Sequence, residues 1–122
     1  MDIQWQGMIK AIGTTAVVVS DTTKAAKWYK ENLGFEVKGE PKEHWVTVGV
    51  KGDVQRLHLC QSKKLEPGNT GIAFLCDNLE KTHQELSKKG VKFTVLPKKE
   101  PWGTNAMLAD PDGNEFWLIE EE

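Results

Sequence analysis

The sequence predicts an α+β fold built from two βαβββ modules, and three observations predict it. Runs of β-branched residues alternate with helix signals, and they do so twice in the same order. Asp21 stands as far from Asp77 as Gly34 stands from Gly90, so a helix start and a helix stop recur at one period. The period occurs only twice, which is too few for a stacked solenoid. Each copy must therefore cover its own sheet with its own helix.

Taken in order, IGTTAVVVS (12–20) reads as a strand. Asp21 or Thr22 is a good cap for a helix over 22–33, where Ala25, Tyr29 and Leu33 form one buried stripe. Gly34 ends it. Strands are expected at 35–39, 44–50 and 54–61, punctuated by Pro41 and Gly52-Asp53. The polar stretch 62–69, with Pro67 and Gly68, reads as a linker. A strand at 70–76 restarts the pattern. Asp77 and Glu80 stand at capping-box spacing before a helix reaching about Lys89, with Leu79, His83 and Leu86 on one face. Gly90 stops it. Strands are expected at 91–96, then, after a loop through Pro101, at 104–109 and 114–120, the last two joined by the turn Asp110-Pro111-Asp112-Gly113. The whole chain, 1–122, reads as one domain, with module one at about 10–62 and module two at about 69–122.

Composition narrows the function classes. The chain has 122 residues, of which 39% are hydrophobic and 28% charged, the proportions of a globular protein. A net charge of −2 leaves no basic surplus to neutralise phosphates, so nucleic acid is not an expected partner. No run approaches the ~20 apolar residues of a membrane span, and the first ten residues hold no apolar signal core. Cys60 and Cys76 make no disulfide framework, and a reducing, cytoplasmic setting is expected. Fifteen of the 16 basic residues are Lys and one, Arg56, is Arg. Asp-Pro-Asp-Gly runs straight into a strand, so it reads as a turn and not as a calcium loop.

Three segments carry a resemblance: AVVVSDTTKAAKWYKENLGF (16–35), GIAFLCDNLEKTHQELSKKGV (71–91), and the closing PWG…LADPDGNEFWLIEE (101–121). Together they resemble the vicinal oxygen chelate superfamily, which includes glyoxalase I, bleomycin-resistance and fosfomycin-resistance proteins and extradiol dioxygenases. The resemblance spans nearly the whole chain. It implies two βαβββ modules forming one cupped mixed sheet, and commonly a homodimer. It also implies four metal-ligand positions in the cup, normally His or Glu. In this sequence they fall on Thr14, His58, Gly71 (or Thr70 one residue earlier) and Trp117. Thr is a poor ligand for transition metals, Gly has no side chain, and the Trp indole only donates. His58 alone cannot hold a catalytic metal, which needs three or more protein ligands. No metal and no cofactor are expected, and the enzymology is not carried over.

Strand alternation sorts what remains. Leu57 and Leu59 face the helix, whereas Arg56, His58 and Cys60 face the cup. Phe116 and Leu118 face the helix, whereas Glu115, Trp117 and Ile119 face the cup. Trp102 sits in a loop, as a lid or a dimer contact. Arg56 reads equally as a bidentate anchor for a carboxylate or phosphate and as an ion pair with a surface carboxylate such as Asp53. His58 reads as a core histidine or a ligand contact, Cys60 as a small hydrophobe, and Trp117 as core filling or a stacking wall. Trp45 and His44 read as structural, Trp28 as half-exposed or interfacial, and His83 as core or solvent-facing. The expected ligand-binding set is Arg56, His58, Trp117, Trp102, Cys60 and Glu115.

The expected function, by resemblance to the bleomycin-resistance branch, is metal-free binding of a planar or anionic organic molecule in the cup. A lyase, isomerase or dioxygenase using non-standard metal ligands, and an interaction module without a ligand, are the alternatives. A homodimer is expected, since Trp5 and Trp28 are hard for a chain this short to bury.

Overall fold

The computed structural model describes residues 7–40 and 45–121. Trp5 and His44 lie outside the described residues. Alternation in TAVVV buries Val17 and Val19 on one side of β1 (Thr15–Val19). The strand is shorter than expected: residues 7–14 form no regular element, and Met8, Ile9 and Ile12 are almost fully exposed. Helix α1 (Thr22–Leu33) has the expected bounds. Asp21 is its cap and accepts from the Lys24 N–H at 2.9 Å. Gly34 ends it at φ 72°, where its N–H reaches the Lys30 carbonyl and the Phe35 N–H reaches that of Tyr29.

Strands β2 (Glu36–Lys38), β3 (Val46–Gly49) and β4 (Leu57–Gln61) complete the first module. The second repeats it with β5 (Gly68–Cys76), α2 (Leu79–Lys88), β6 (Lys92–Glu100), β7 (Gly103–Ala109) and β8 (Asn114–Glu120). Each module makes its own four-stranded mixed sheet, in the orders β1-β4-β3-β2 and β5-β8-β7-β6. In each, the first strand runs parallel to the last and the remaining pairs are antiparallel. The α+β architecture is therefore two βαβββ modules of identical topology.

β4 begins at Leu57 instead of 54, β5 begins at Gly68 inside the expected linker, and two further boundaries differ for physical reasons. The cap of α2 is Asn78, not Asp77, and its side chain accepts from the Lys81 N–H. Strand β6 continues through Pro97 to Glu100 instead of stopping at 96. It lies at the sheet edge, where a residue without an N–H is tolerated, and its pairing with β7 shifts register between Val95 and Lys98.

The helix sides of the two sheets meet in one core. Val17, Val19, Tyr29, Val46, Val48 and Leu59 of the first module pack with Leu79, Leu108, Phe116 and Leu118 of the second. Ring contacts cross the joint: Tyr29 meets Phe116 edge-on at 6.2 Å, and Phe35 meets Phe74 at 5.4 Å. A polar latch reinforces it. Buried Asp110 accepts from the Tyr29 hydroxyl at 2.6 Å, from the Asn114 side chain, and from the Asp112 and Asn114 N–H groups. Asn114 also donates to the Val18 carbonyl, and the Ser20 N–H donates to Asp112. The turn of module two thus grips α1 and β1 of module one. This explains why Asp110 and Asn114 are buried although they sit in or beside a turn.

Candidate functional site

The helix sides of both sheets contribute to one core, and the helix-free faces belong to two separate sheets. The residues expected in one cup are therefore divided between two faces. On the first sheet, Thr47 and His58 are cross-strand neighbours. The His58 imidazole is buried beneath Trp45, with ring centroids 4.0 Å apart and planes tilted 38°. Trp45 itself remains 59% exposed, so one of its faces is open to a ligand. Cys60, two residues along the same face, places Sγ 3.4 Å from His58 Nδ1.

Arg56 lies just before β4 and folds across the same sheet. Its Nε donates to Thr47 Oγ1 at 2.8 Å, and Nη2 donates to the Glu36 carbonyl at 2.7 Å and the Thr47 carbonyl at 3.3 Å. Nη1 stands 3.5 Å from the Glu36 carboxylate. The guanidinium rests over Gly49, where an added Cβ would stand 3.2 Å from its stem. The ion pair is with Glu36, not Asp53, and Arg56 needs no external anion.

On the second sheet, Trp117 meets Trp102 edge-to-face at 6.2 Å. Trp102 occupies the two-residue turn between β6 and β7 and is 58% exposed. Glu115 stands apart from this pair. It lines a smaller cleft of about 290 Å³ with Trp28, Lys92 and Asp110. The structure therefore brings His58 to Cys60, and Trp102 to Trp117. Trp45 is the functional candidate that sequence reasoning assigned to structure. Its parity with Thr47 and His58 was the available signal. His83 packs edge-on against Phe93, and Trp28 is half-buried beside Tyr29.

The positions that the resemblance assigns to metal ligands do not fit a metal. Thr14 is exposed in the irregular segment. Gly71 sits in a bulge of β5 at φ 77°, where Asn69 accepts its N–H and the pairing with β8 shifts register. Trp117 is committed to Trp102. Among the described residues, no three His, Cys, Asp or Glu side chains gather into a possible metal site. None of the described helices is long and apolar enough to cross a membrane.

A larger cleft lies elsewhere, between the two modules. It encloses about 650 Å³ and opens beside Asp53, Gln55 and Arg56. Cys76 is in its wall, and burial pushes this thiol above its ordinary pKa.

A family model described as the Glyoxalase/Bleomycin resistance protein/Dioxygenase superfamily matches residues 11–118. The uncharacterised protein YetH of Bacillus subtilis (strain 168) is 35% identical over 120 residues, covering 93% of this chain and all of that protein. A superfamily member from Sphaerobacter thermophilus DSM 20745 superposes with a TM-score of 0.83 at 31% identity, covering 93% of this chain and 99% of that one. TnmS3, an antibiotic binding protein from Streptomyces sp. CB03234, superposes with a TM-score of 0.80 at 32% identity, covering 96% of this chain and 100% of that one.

Proposed function

The chain belongs to the glyoxalase/bleomycin resistance protein/dioxygenase superfamily, and from that membership we propose that it is a metal-free binding protein for a planar organic molecule. The observation that carries this reading is the pair of exposed aromatic clusters, Trp45 on His58 and Trp102 on Trp117, one on each helix-free face. Indole faces offer large stacking area at little cost in side-chain entropy. Exposed tryptophans gathered on a sheet face are what a binding surface looks like and what a solvated surface avoids. That TnmS3 is an antibiotic binding protein supports a small organic ligand.

In this reading a complete site takes the first face from one copy and the second face from another, so the protein acts as a homodimer with two shared sites. Arg56 shapes the first face without anchoring an anion, since Glu36 already neutralises it.

Tryptophan quenching by a panel of mono- to tetracyclic aromatic compounds, neutral and carboxylate-bearing, tests the reading. Trp45→Ala and Trp117→Ala should each weaken binding by about tenfold, or ~1.4 kcal/mol. Mixing the two variants should then restore wild-type affinity at one site per mixed dimer. Quenching by no compound in the panel would sink the binding proposal. Binding that mixing fails to restore would sink the shared site.

A further inference from the structure

We propose that the cleft between the two modules is a second binding site, for a neutral, largely apolar small molecule. This does not rest on the aromatic-face reading, because none of Trp45, His58, Trp102 and Trp117 lines the cleft. Its walls include Leu33 at the end of α1 and Phe35 just beyond it, Ile72 and Phe74 on β5, and Leu86 on α2. These side chains pack on the core yet remain only partly buried. Protein interiors are close-packed and hold few voids larger than a water molecule. A cleft of about 650 Å³ continuous with the core is instead the size of a small-molecule site. A bound apolar body would finish burying the five side chains that the fold leaves half-covered.

Charge selects the ligand class. The cation at the mouth, Arg56, is already paired with the Glu36 carboxylate and donates to two backbone carbonyls and a hydroxyl. An anionic ligand therefore finds no unpaired guanidinium there. Asp53 at the same mouth disfavours an anion further. Exposed Gln55 supplies a neutral donor and acceptor for one hydroxyl or carbonyl at the ligand's polar end.

The two cysteines make the test internal to one molecule. Cys76 lies in the cleft wall, whereas Cys60 lies on the helix-free face beside His58. The neutral dye Nile red is titrated into the full chain, and iodoacetamide labelling of each cysteine is followed by mass spectrometry with and without dye. We expect saturable slowing of Cys76 labelling by at least fivefold, exceeding any change at Cys60. Leu86→Trp, which fills the cleft, should lower dye affinity at least tenfold. Thr82→Trp does the same from another wall position should Leu86→Trp fold poorly. Trp117→Ala should leave the dye's protection of Cys76 unchanged. Protection of Cys60 instead of Cys76, or dye affinity lost in Trp117→Ala and kept in Leu86→Trp, would place the dye on the aromatic faces and overturn the second site. Absence of saturable binding would overturn it as well. Stronger Cys76 protection by the anionic dye 8-anilinonaphthalene-1-sulfonate than by Nile red would overturn the neutral ligand class.

Discussion

Tyr29, the chain's only tyrosine, shows how much one side chain can hold. It is fully buried, donates to buried Asp110, and touches Phe116 across the joint between modules. Burial, reinforced by the Asp110 charge, pushes its hydroxyl far above the ordinary tyrosine pKa of 10.0. Below that value both the folded and unfolded chain hold the proton, and the contribution to stability is complete. Above it only the unfolded chain releases the proton, so stability falls as pH rises, by up to ~1.4 kcal/mol per pH unit. Urea unfolding between pH 8 and 11 should show this loss in the wild type and lack it in Tyr29→Phe. The variant should also be about 2 kcal/mol less stable at pH 8. Equal slopes for the two proteins would refute the assignment. Arg56 offers a second test at this scale. Its partners are Glu36 and Thr47, so Arg56→Ala should cost about 2 kcal/mol of stability and Arg56→Lys should recover little, since an ammonium cannot reproduce the fork. A variant as stable as wild type but defective in ligand binding would return Arg56 to the role of anchor.

At the scale of elements, the local rules were strongest where a single residue type has one job. Asp21, Gly34 and Gly90 announced the helices because a cap needs a side-chain acceptor and a stop needs a left-handed backbone. Strand alternation separated Leu57 and Leu59, which join the core, from His58 under Trp45, and Phe116 and Leu118 from Trp117 beside Trp102. The face on which His58 and Trp117 sit was thus legible. Which face meets which was not, because alternation states side and not partner. That information lies in the Tyr29–Asp110 latch and the Phe35–Phe74 contact, both long-range and neither periodic. Pro97 misled the end of β6 because edge position, which excuses it, is a property of the sheet and not of the segment. Gly71 carries the prediction here. Open space surrounds it, so Gly71→Ala should cost only the ~1–2 kcal/mol of a left-handed backbone with a Cβ. Gly71→His should pay the same cost and still gain no metal affinity, as isothermal titration with zinc would report. A tight one-to-one zinc complex of Gly71→His would contradict the view that the bulge has displaced a ligand position.

For the whole molecule, Trp45, Leu75, Leu96 and Trp102 are exposed, together with Met8, Ile9 and Ile12 of the segment before β1. That is more large apolar surface than a lone chain of this size comfortably presents to water. Light scattering at micromolar concentration should therefore give about twice 13.7 kDa. A monomer mass would remove the shared site from the proposal while leaving the cleft intact. The joint between modules has one more consequence. Its cohesion comes from side chains that cross it, whereas the peptide between β4 and β5 runs from Ser62 to Pro67 largely exposed. That tether is covalently redundant. A gene opened at Lys64 should yield two polypeptides that find each other when co-expressed and refold into one particle, and a reporter split between them would light only when the Tyr29 hydroxyl finds Asp110.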